Sequence, residues 1–406
     1  MSSPSTSIPP PAPYSRIYDY AGDRVENLEA YQPGGYFPAD IGTTVHGSRY
    51  HIVHKLGFGT YSTVWLAKDT ISSRLVALKF LRADADPARH EAESRILRLL
   101  RPHPCVLELI DEFDVDSANG SHRCLVTEPL GPSLATVKYE TPDNCLPQRL
   151  TRTVAAQSIA GVAYLHARGV VHGGTFPSPV SLLKHLLILT YLDLHIGNIL
   201  LALPNLASWS LEQLYSTLGD PDTDRITRND GLPVTSSAPK FSVRRPDPRA
   251  LAKLATGTIR IVDFGEAFLE REAPIGRCLQ TAVLVAAPEV LFDSRSEVGK
   301  GADVWALGCA LVEVFGDGRM VQSFFADREE VITDLVKILG GMPRRWAGGE
   351  REGTGTGLGE RVKWLQVEEW ERVVVERMVE GMVKWEPRER VTAAEVESMV
   401  PEAWRE

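Results

Sequence analysis

The sequence is organised around two tripeptides, Asp263-Phe264-Gly265 and Ala287-Pro288-Glu289, which enclose a short segment of the chain. Each tripeptide alone is a weak signal, because a short match has a high risk of being coincidental. Together, and in this order, they place a carboxylate at each end of the segment. The rest of the chain must then supply specific residues at specific distances from them.

The composition is that of an ordinary globular protein. The chain has 406 residues, of which 43% are hydrophobic and 24% charged, which is enough to bury one large core or two lobes. Its five cysteines lack Cys-x-x-Cys spacing, so a reducing intracellular compartment is expected and a disulfide framework or zinc site is not. The net charge of −9 argues against binding nucleic acid through overall charge. No apolar run is long enough to span a membrane, and the Pro- and Ser-rich residues 1–13 are expected to be disordered.

A glycine-rich hairpin is predicted between a strand at residues 50–53 and another at residues 64–67. Its turn, Leu56-Gly57-Phe58-Gly59-Thr60-Tyr61-Ser62-Thr63-Val64, puts glycines where a backbone could approach phosphate closely. Ser62 stands where a third glycine would complete a dinucleotide-binding fingerprint, and no helix follows, so that class of site is excluded. The alternative is a plain hairpin without a ligand.

The next strand carries Lys79 within an apolar run. A lysine buried in a strand needs an anionic partner. On the helix predicted at residues 87–100, Glu93 shares the inward face with leucines, whereas Glu91 points to solvent and is expected to pair with Arg95. The sequence therefore predicts an ion pair between Lys79 and Glu93.

The strand that ends at Thr127 runs into Glu128-Pro129-Leu130-Gly131, which is predicted to be a hinge between two lobes. Pro129 has no N–H and cannot donate to a base. A nucleotide base is therefore expected to bind backbone groups near Glu128 and Leu130, with Thr127 behind it. A plain strand and turn is the alternative.

An Asp and an Asn that could converge on one phosphate occur in Asp193-Leu194-His195-Ile196-Gly197-Asn198. The preceding stretch, Val170-Val171-His172-Gly173, would join Asp193 directly if residues 174–192 were absent. The ends of this segment can be encoded with the GT and AG dinucleotides of an intron, so we interpret residues 174–192 as translated intron sequence. The alternative is a genuine insertion, whose apolar side chains would have to be buried next to the site or form an exposed patch.

Further residues complete the pattern. Asp303 starts an apolar helix and is expected to brace the backbone of the loop that holds His172. Arg390, near the C-terminus, is the expected partner of Glu289. A polar spacer at residues 203–257 precedes the first tripeptide, and its length indicates that it is either functional or disordered.

This ordered set of motifs resembles that of the eukaryotic protein kinase superfamily, over roughly residues 49–403. Within it, the chain resembles the serine/arginine-rich-protein (SR-protein) kinases of a divergent fungal type. Four features carry this second resemblance: Gly34-Gly35-Tyr36-Phe37-Pro38-Ala39-Asp40-Ile41-Gly42, Lys55-Leu56-Gly57-Phe58-Gly59-Thr60-Tyr61-Ser62-Thr63-Val64-Trp65-Leu66-Ala67, the spacer, and residues 332–343. The resemblance implies a bilobal α+β kinase fold. It has an N-terminal extension (residues 1–48), a small antiparallel-sheet lobe plus one helix (49–130), and a large mainly helical lobe (131–406).

The resemblance implies an enzyme that transfers the γ-phosphate of ATP, with Mg²⁺, to serine in Arg/Ser-rich proteins of mRNA splicing. It implies Asp193 as the base with Lys79 and Glu93 in the catalytic set, Asn198 and Asp263 as metal ligands, and structural roles for His172, Phe264, Gly265, Glu289, Asp303 and Arg390. The implied ATP-binding residues are Leu56, Gly57, Phe58, Gly59, Thr60, Tyr61, Ser62, Val64, Ala77, Lys79, Thr127, Glu128 and Leu130. It also implies a monomer in cytoplasm and nucleus that binds protein substrates, and neither nucleic acid nor membrane directly.

Three residues depart from the family's pattern. Gly173 replaces an Arg that reads a phosphorylated segment in many kinases, His195 replaces a phosphate-contacting Lys, and Ala286 replaces an Arg. A catalytically impaired pseudokinase that scaffolds partners is therefore an alternative. A small-molecule phosphotransferase is a further alternative, although such enzymes lack the set formed by Ala287-Pro288-Glu289, Asp303 and Arg390.

Overall fold

The structure is a computed structural model that describes residues 16–20, 24–84, 87–100, 102–173, 195–204, 206, 209–272, 284–292, 298–323, 327–346, 352–353, 355, 357–363 and 365–405. Its strands are β1 Tyr18–Asp19, β2 Thr44–Val45, β3 Tyr50–Phe58, β4 Ser62–Asp69, β5 Leu75–Leu81, β6 Leu109–Ser117, β7 Gly120–Thr127, β8 Leu130–Ser133, β9 Val170–Val171, β10 Ile199–Ala202, β11 Thr223–Arg225, β12 Thr227–Arg228, β13 Phe241–Val243, β14 Ile259–Ile261 and β15 Phe268–Leu269. Its α-helices are α1 Pro87–Leu99, α2 Leu134–Tyr139, α3 Gln148–Ala167, α4 Leu211–Leu218, α5 Pro248–Leu254, α6 Pro288–Leu291, α7 Lys300–Phe315, α8 Arg328–Leu339, α9 Gly357–Lys363, α10 Glu369–Met382 and α11 Ala393–Ser398. Residues 1–13, residues 174–192 and Asp193 lie outside the described residues, so what was predicted for them stays a prediction.

The small lobe is built on a six-stranded antiparallel sheet in the order β2-β3-β4-β5-β7-β6. Both strands of the glycine-rich hairpin are longer than the sequence predicted, because pairing continues to Phe58 opposite Thr63. Only residues 59–61 are left as the turn. On one face of the sheet, the ring of Phe37 stacks on Phe80 with centroids 4.5 Å apart, so the N-terminal extension forms part of the small-lobe core.

Helix α1 begins at Pro87, where proline is well tolerated because the first helical N–H has no partner within the helix. It ends at Leu99, one residue earlier than predicted. The pairing predicted between Glu91 and Arg95 was wrong: Arg95 Nη2 instead lies 2.6 Å from Glu272 Oε2. The turn that follows β15 supplies this carboxylate, so the helix is tied to the large lobe.

The large lobe is centred on α7, in which every side chain from Asp303 to Phe315 is buried. Helices α3 and α10 pack against it. Its C-terminal carbonyl groups, which have no partner within the helix, are met by a buried lysine. Lys138 Nζ donates to Glu313 O and, at 2.6 Å, to Gly316 O. Within the part of the chain that the structure describes, no helix is long and apolar enough to cross a membrane.

The described part of the spacer at residues 203–257 is folded, so it is not disordered, which was one of the two possibilities that its length left open. Its helix α4 places Leu214 in an apolar cluster with Val53 and Leu66 of the small-lobe sheet, and Tyr215 Oη donates to Val53 O at 3.0 Å. Its strand β12 pairs with β1 of the N-terminal extension. The Asp40 carboxylate also accepts backbone N–H groups of the spacer, with a distance of 3.0 Å from Lys240 N. The spacer therefore packs on the small lobe and on the extension.

Candidate active site

The ion pair predicted on α1 and β5 is present at the junction of the lobes. Lys79 Nζ lies 2.8 Å from Glu93 Oε1 and 3.5 Å from Asp263 Oδ1. Burial alone would lower the pKa of Lys79, but the charges of Glu93 and then Asp263 outweigh it and raise the pKa above its ordinary value. The lysine is therefore cationic at neutral pH and is shared between two carboxylates from different lobes.

Asp263 is held in an uncommon backbone conformation, with φ of 65°. Residues other than glycine seldom adopt this left-handed region, although Asp tolerates it better than most. The strand before it is anchored by Val262 N, which donates to Asn198 O at 3.0 Å, so Asp263 and Asn198 lie on adjacent segments. The next residue, Phe264, is fully buried, and its ring centroid lies 5.0 Å from that of His172.

Asp303 braces the backbone that precedes the undescribed segment. Its carboxylate accepts from His172 N at 2.8 Å and from Gly173 N at 3.1 Å, and His166 Nε2 lies 3.0 Å away. Burial alone would raise the pKa of Asp303, but the His166 hydrogen bond and these other contacts lower it below its usual range. The predicted contact between Asp303 and this loop is therefore present, with an ionised carboxylate at neutral pH.

Residues 195–198 form a tight turn, in which Asn198 N donates to His195 O at 2.9 Å. His195 Nδ1 accepts the N–H of Gly197 at 2.7 Å, which requires that this ring nitrogen carry no proton. Burial lowers the pKa of His195 to about 3. The imidazole is thus neutral at pH 7 and supplies no positive charge to the interlobe cleft that it lines. A Cβ on Gly197 would lie 2.0 Å from His195 Cε1, so a larger residue there would force the imidazole to move.

One cleft of about 730 Å³ between the lobes collects the predicted nucleotide-binding residues. This volume is within the usual range for small-molecule sites, roughly 300–1,000 Å³. The cleft is lined by Leu56, Gly57, Phe58, Gly59, Thr60, Tyr61, Ser62, Val64, Ala77, Lys79, Thr127, Glu128 and Leu130 from the predicted set, together with Glu93, Asn198, Asp263 and Gly265. A second cavity, of about 810 Å³, lies beside α8 and includes none of these residues.

The predicted hinge lies at one side of this cleft. The Glu128 carboxylate accepts from Arg260 Nε at 2.7 Å, and Thr127 Oγ1 lies 3.2 Å from Glu128 O. Because Arg260 engages the Glu128 side chain, the groups that remain for a base are those of the backbone. This arrangement fits the expectation for the hinge, and Thr127 itself is buried.

Two arginines that the sequence analysis did not identify also line the cleft. Arg245 belongs to the spacer, and its backbone N–H donates to Arg24 O of the N-terminal extension at 3.1 Å. Arg319 follows α7, and its Nε lies 3.4 Å from Glu313 Oε1. No spacing in the sequence indicates either residue, since both reach the cleft through folding of distant segments.

The far end of the enclosed segment is anchored by Glu289. Arg390 Nη1 and Nη2 each lie 2.7 Å from one of its carboxylate oxygens, and both side chains are fully buried. The guanidinium also donates to Gly301 O and lies over the Trp305 ring. This is the pairing that the order of the motifs predicted, and its bidentate geometry suits Arg specifically.

Comparisons with known proteins agree with this geometry. The family model described as protein kinase domain matches residues 50–173. A solved crystal structure of a kinase domain superposes with a TM-score of 0.59 at 16% identity, covering 91% of this chain and 99% of the solved one, which establishes the fold. The protein is therefore a bilobal, protein-kinase-fold protein.

The curated relatives give the closer resemblance. Serine/threonine-protein kinase SKY1 of Saccharomyces cerevisiae is 34% identical over 168 residues, which cover 38% of this chain and 22% of SKY1. SRSF protein kinase 3 of Sus scrofa is 32% identical over 194 residues, covering 44% of this chain and 33% of the relative. Serine/threonine-protein kinase SRPK of Physarum polycephalum is 28% identical over 338 residues, covering 79% of this chain and 73% of the relative. The chain thus resembles the SR-protein kinases, and its match spans a third or less of the length of the first two.

Proposed function

We propose that this protein is an ATP-dependent protein serine/threonine kinase that transfers the γ-phosphate to serine in Arg/Ser-rich, splicing-related proteins. The observation that carries the proposal is the convergence of Lys79, Glu93, Asn198 and Asp263 on one interlobe cleft beneath a glycine-rich turn. Phosphoryl transfer needs this combination, because it depends on positioning the phosphates and on neutralising their charge.

Each side chain has a role in this proposal. Lys79, held by Glu93, binds the α- and β-phosphates, and the backbone N–H groups of the glycine-rich turn bind phosphate oxygens. Asp193, which lies two positions before His195 in the sequence, accepts the proton of the substrate hydroxyl. Base recognition is by backbone groups near Glu128 and Leu130.

The proposed Mg²⁺ site consists of Asn198 and Asp263. Both supply oxygen donors, which Mg²⁺ prefers, both line the cleft, and the Asp263 side chain is about one third exposed and accessible from it. The donor set therefore fits the ion. When bound, Mg²⁺ neutralises charge on the phosphate oxygens. Asp263 also attracts Lys79, whose ammonium would supply a second positive charge for the phosphates.

Substrate class, location and domain limits are also part of the proposal. The relatives' names support basic, Arg/Ser-rich protein partners, and the acidic net charge of −9 is compatible with them. The protein acts as a monomer in cytoplasm and nucleus, without binding nucleic acid or membrane directly. Residues 49–130 form the small lobe and residues 131–406 the large lobe, with the spacer at 203–257 as a packed insertion.

Residues 174–192 determine whether the chain as written is active. We propose that they are translated intron sequence, since their removal would join Gly173 to Asp193 in a continuous loop. Sequencing the mature transcript tests this directly. Presence of the corresponding nucleotides in the major message would overturn the intron interpretation and leave a genuine insertion.

The test of function is transfer of radiolabelled γ-phosphate from Mg-ATP to an Arg/Ser-repeat peptide. The chain is compared with a form that lacks residues 174–192, each with and without Asp193→Ala. We expect transfer that is abolished by Asp193→Ala and is greater in the shortened form. If neither form transferred phosphate while both bound Mg-ATP, the proposal that this protein is a kinase would be refuted. That result would favour the scaffolding pseudokinase, an alternative that the neutral His195 supports.

A further inference from the structure

The backbone carbonyl groups of the glycine-rich turn accept hydrogen bonds from two residues, Tyr36 of the N-terminal extension and Arg82, which follows β5. Tyr36 Oη lies 2.7 Å from Gly59 O and 3.2 Å from Thr60 O, and its single proton is shared between them in a bifurcated hydrogen bond. Arg82 N donates to Tyr61 O at 2.9 Å. Three consecutive carbonyl groups of the turn are thus fixed by hydrogen bonds, two of them by one tyrosine hydroxyl.

These hydrogen bonds also set the direction of the neighbouring N–H groups. In a trans peptide the C=O and the following N–H point in opposite directions. With the carbonyls of residues 59–61 held by Tyr36 and Arg82, the N–H groups of residues 60–62 point the other way. Residues 60–62 line the cleft. Successive N–H groups that point into a concavity bind phosphate oxygens.

Tyr36 itself is held in place with little freedom. It is 4% exposed, its ring meets that of Tyr31 edge-on at 5.6 Å, and the Arg82 guanidinium lies over it. Its carbonyl accepts from Asn119 Nδ2 at 2.7 Å. The residue before it has to be glycine, because a Cβ on Gly35 would lie 1.8 Å from Ala30 O.

A second contact ties strand β3 of the same hairpin to the extension. Lys55, in β3, is completely buried and pairs with the buried carboxylate of Glu26. Tyr31 Oη donates to the other oxygen of that carboxylate at 2.5 Å. The Lys55 ammonium also lies 4.6 Å from the centroid of the Trp65 ring. Residues 26–36 therefore hold the hairpin both within β3 and at its turn.

We propose that Tyr36 is a positioning residue for the nucleotide. By fixing the carbonyl groups of Gly59 and Thr60, its hydroxyl presets the N–H groups of the turn for the phosphates of ATP. The segment that carries Tyr36 thus contributes to the phosphate site, although it precedes the small lobe in the sequence. This inference rests on the proposed function, because it assumes that the cleft binds ATP.

The test measures nucleotide binding by the full chain and does not require catalysis. Tyr36→Phe removes the hydroxyl and keeps the ring. The matched control is Tyr20→Phe in the same extension, which removes a hydroxyl that donates to Asn27 Oδ1 at 3.1 Å, far from the turn in sequence. Calorimetric titrations use a non-hydrolysable Mg-ATP analogue and, separately, adenosine, which has no phosphates. Amide hydrogen exchange of residues 59–62 is followed without nucleotide.

For Tyr36→Phe we expect the affinity for the Mg-ATP analogue to fall about 5- to 10-fold, the effect of one lost hydrogen bond. Affinity for adenosine is expected to change less than about 2-fold, and exchange of the turn is expected to become faster. Tyr20→Phe is expected to behave as the parent chain does. An unchanged analogue affinity, an equal loss for adenosine, or unchanged exchange of the turn would each overturn the positioning role. If the parent chain binds neither ligand, the proposed ATP site fails as well, and the exchange result alone then reports on whether Tyr36 holds the turn.

Discussion

The substitution Glu93→Gln tests the site at the point where two carboxylates compete for one lysine. In the structure, Lys79 Nζ lies 0.7 Å closer to Glu93 than to Asp263, at 2.8 Å against 3.5 Å. Removing the charge of Glu93 leaves Asp263 as the nearer anion. We therefore expect Lys79 to move to Asp263, which takes the lysine from the phosphates and occupies an oxygen that the metal requires.

The expected loss of Mg-ATP affinity follows from the lost ion pair between Lys79 and Glu93. A hydrogen bond between charged groups contributes about 1.5–3 kcal/mol. Because the Lys79 side chain is 22% exposed, solvent screening places this pair in the lower part of that range. A loss of about 1.5–2 kcal/mol corresponds to a roughly 10- to 30-fold weaker binding of Mg-ATP.

The assay is the affinity for Mg-ADP and for a Mg-ATP analogue at several Mg²⁺ concentrations, followed by kcat/KM for peptide phosphorylation. The matched control is Glu91→Gln, the same substitution on the same helix at an exposed position. The control is expected to change affinity less than about 2-fold, because its side chain lies on the solvated face. Higher Mg²⁺ is expected to restore part of the lost affinity of Glu93→Gln, since the ion competes with Lys79 for Asp263.

The reasoning would be refuted if Glu93→Gln bound Mg-ATP as tightly as Glu91→Gln does. It would also be refuted if Glu93→Gln lost affinity with no dependence on Mg²⁺, because the lysine would then not be drawn to the metal ligand.

Three further predictions concern stability, which is measured by urea unfolding. Arg390→Met leaves the fully buried Glu289 unpaired and is expected to lower the free energy of unfolding by about 3–5 kcal/mol. The control Arg372→Met, at an exposed pair on α10, is expected to lower it by less than about 1 kcal/mol. Equal losses in the two variants would contradict the role of the buried pair. Gly35→Ala is expected to cost at least about 2 kcal/mol because its Cβ would overlap Ala30 O, whereas Gly299→Ala meets no neighbour within 4 Å and should cost much less. Because the pKa of His195 is lowered to about 3 from 6.5, its neutral form is favoured by folding, so this contribution to stability is present above pH 6.5 and is lost as pH falls toward 3. In His195→Asn the free energy of unfolding is expected to fall less steeply over that pH range than in the parent chain. Identical pH profiles for the two proteins would contradict a buried, neutral His195.

The contacts that the sequence predicted best involve residues in helices and strands, or in motifs whose order along the chain is recognisable. Helical periodicity placed Glu93 on the inward face of α1, and the apolar run of β5 identified Lys79 as a lysine in a buried strand that needs an anionic partner. The order of the motifs likewise paired Arg390 with Glu289. The same local reasoning was wrong for Arg95, because its neighbour along the helix, Glu91, was a weaker partner than Glu272 from the large lobe. An exposed pair within a helix contributes only a few tenths of a kcal/mol and is easily replaced.

The sequence by itself determined which residues could form a phosphate site, since side-chain type, strand alternation and helical spacing are local properties. Only the tertiary structure decided what surrounds that site. The spacer's packing on the small lobe, the entry of Arg245 into the cleft and the contact of Tyr36 with Gly59 join segments that are distant in sequence. The lowered pKa of His195 depends on the same packing, because burial is a property of the whole fold. Such contacts have no periodic signal along the chain, and they arise only when the apolar faces of separate elements are buried together.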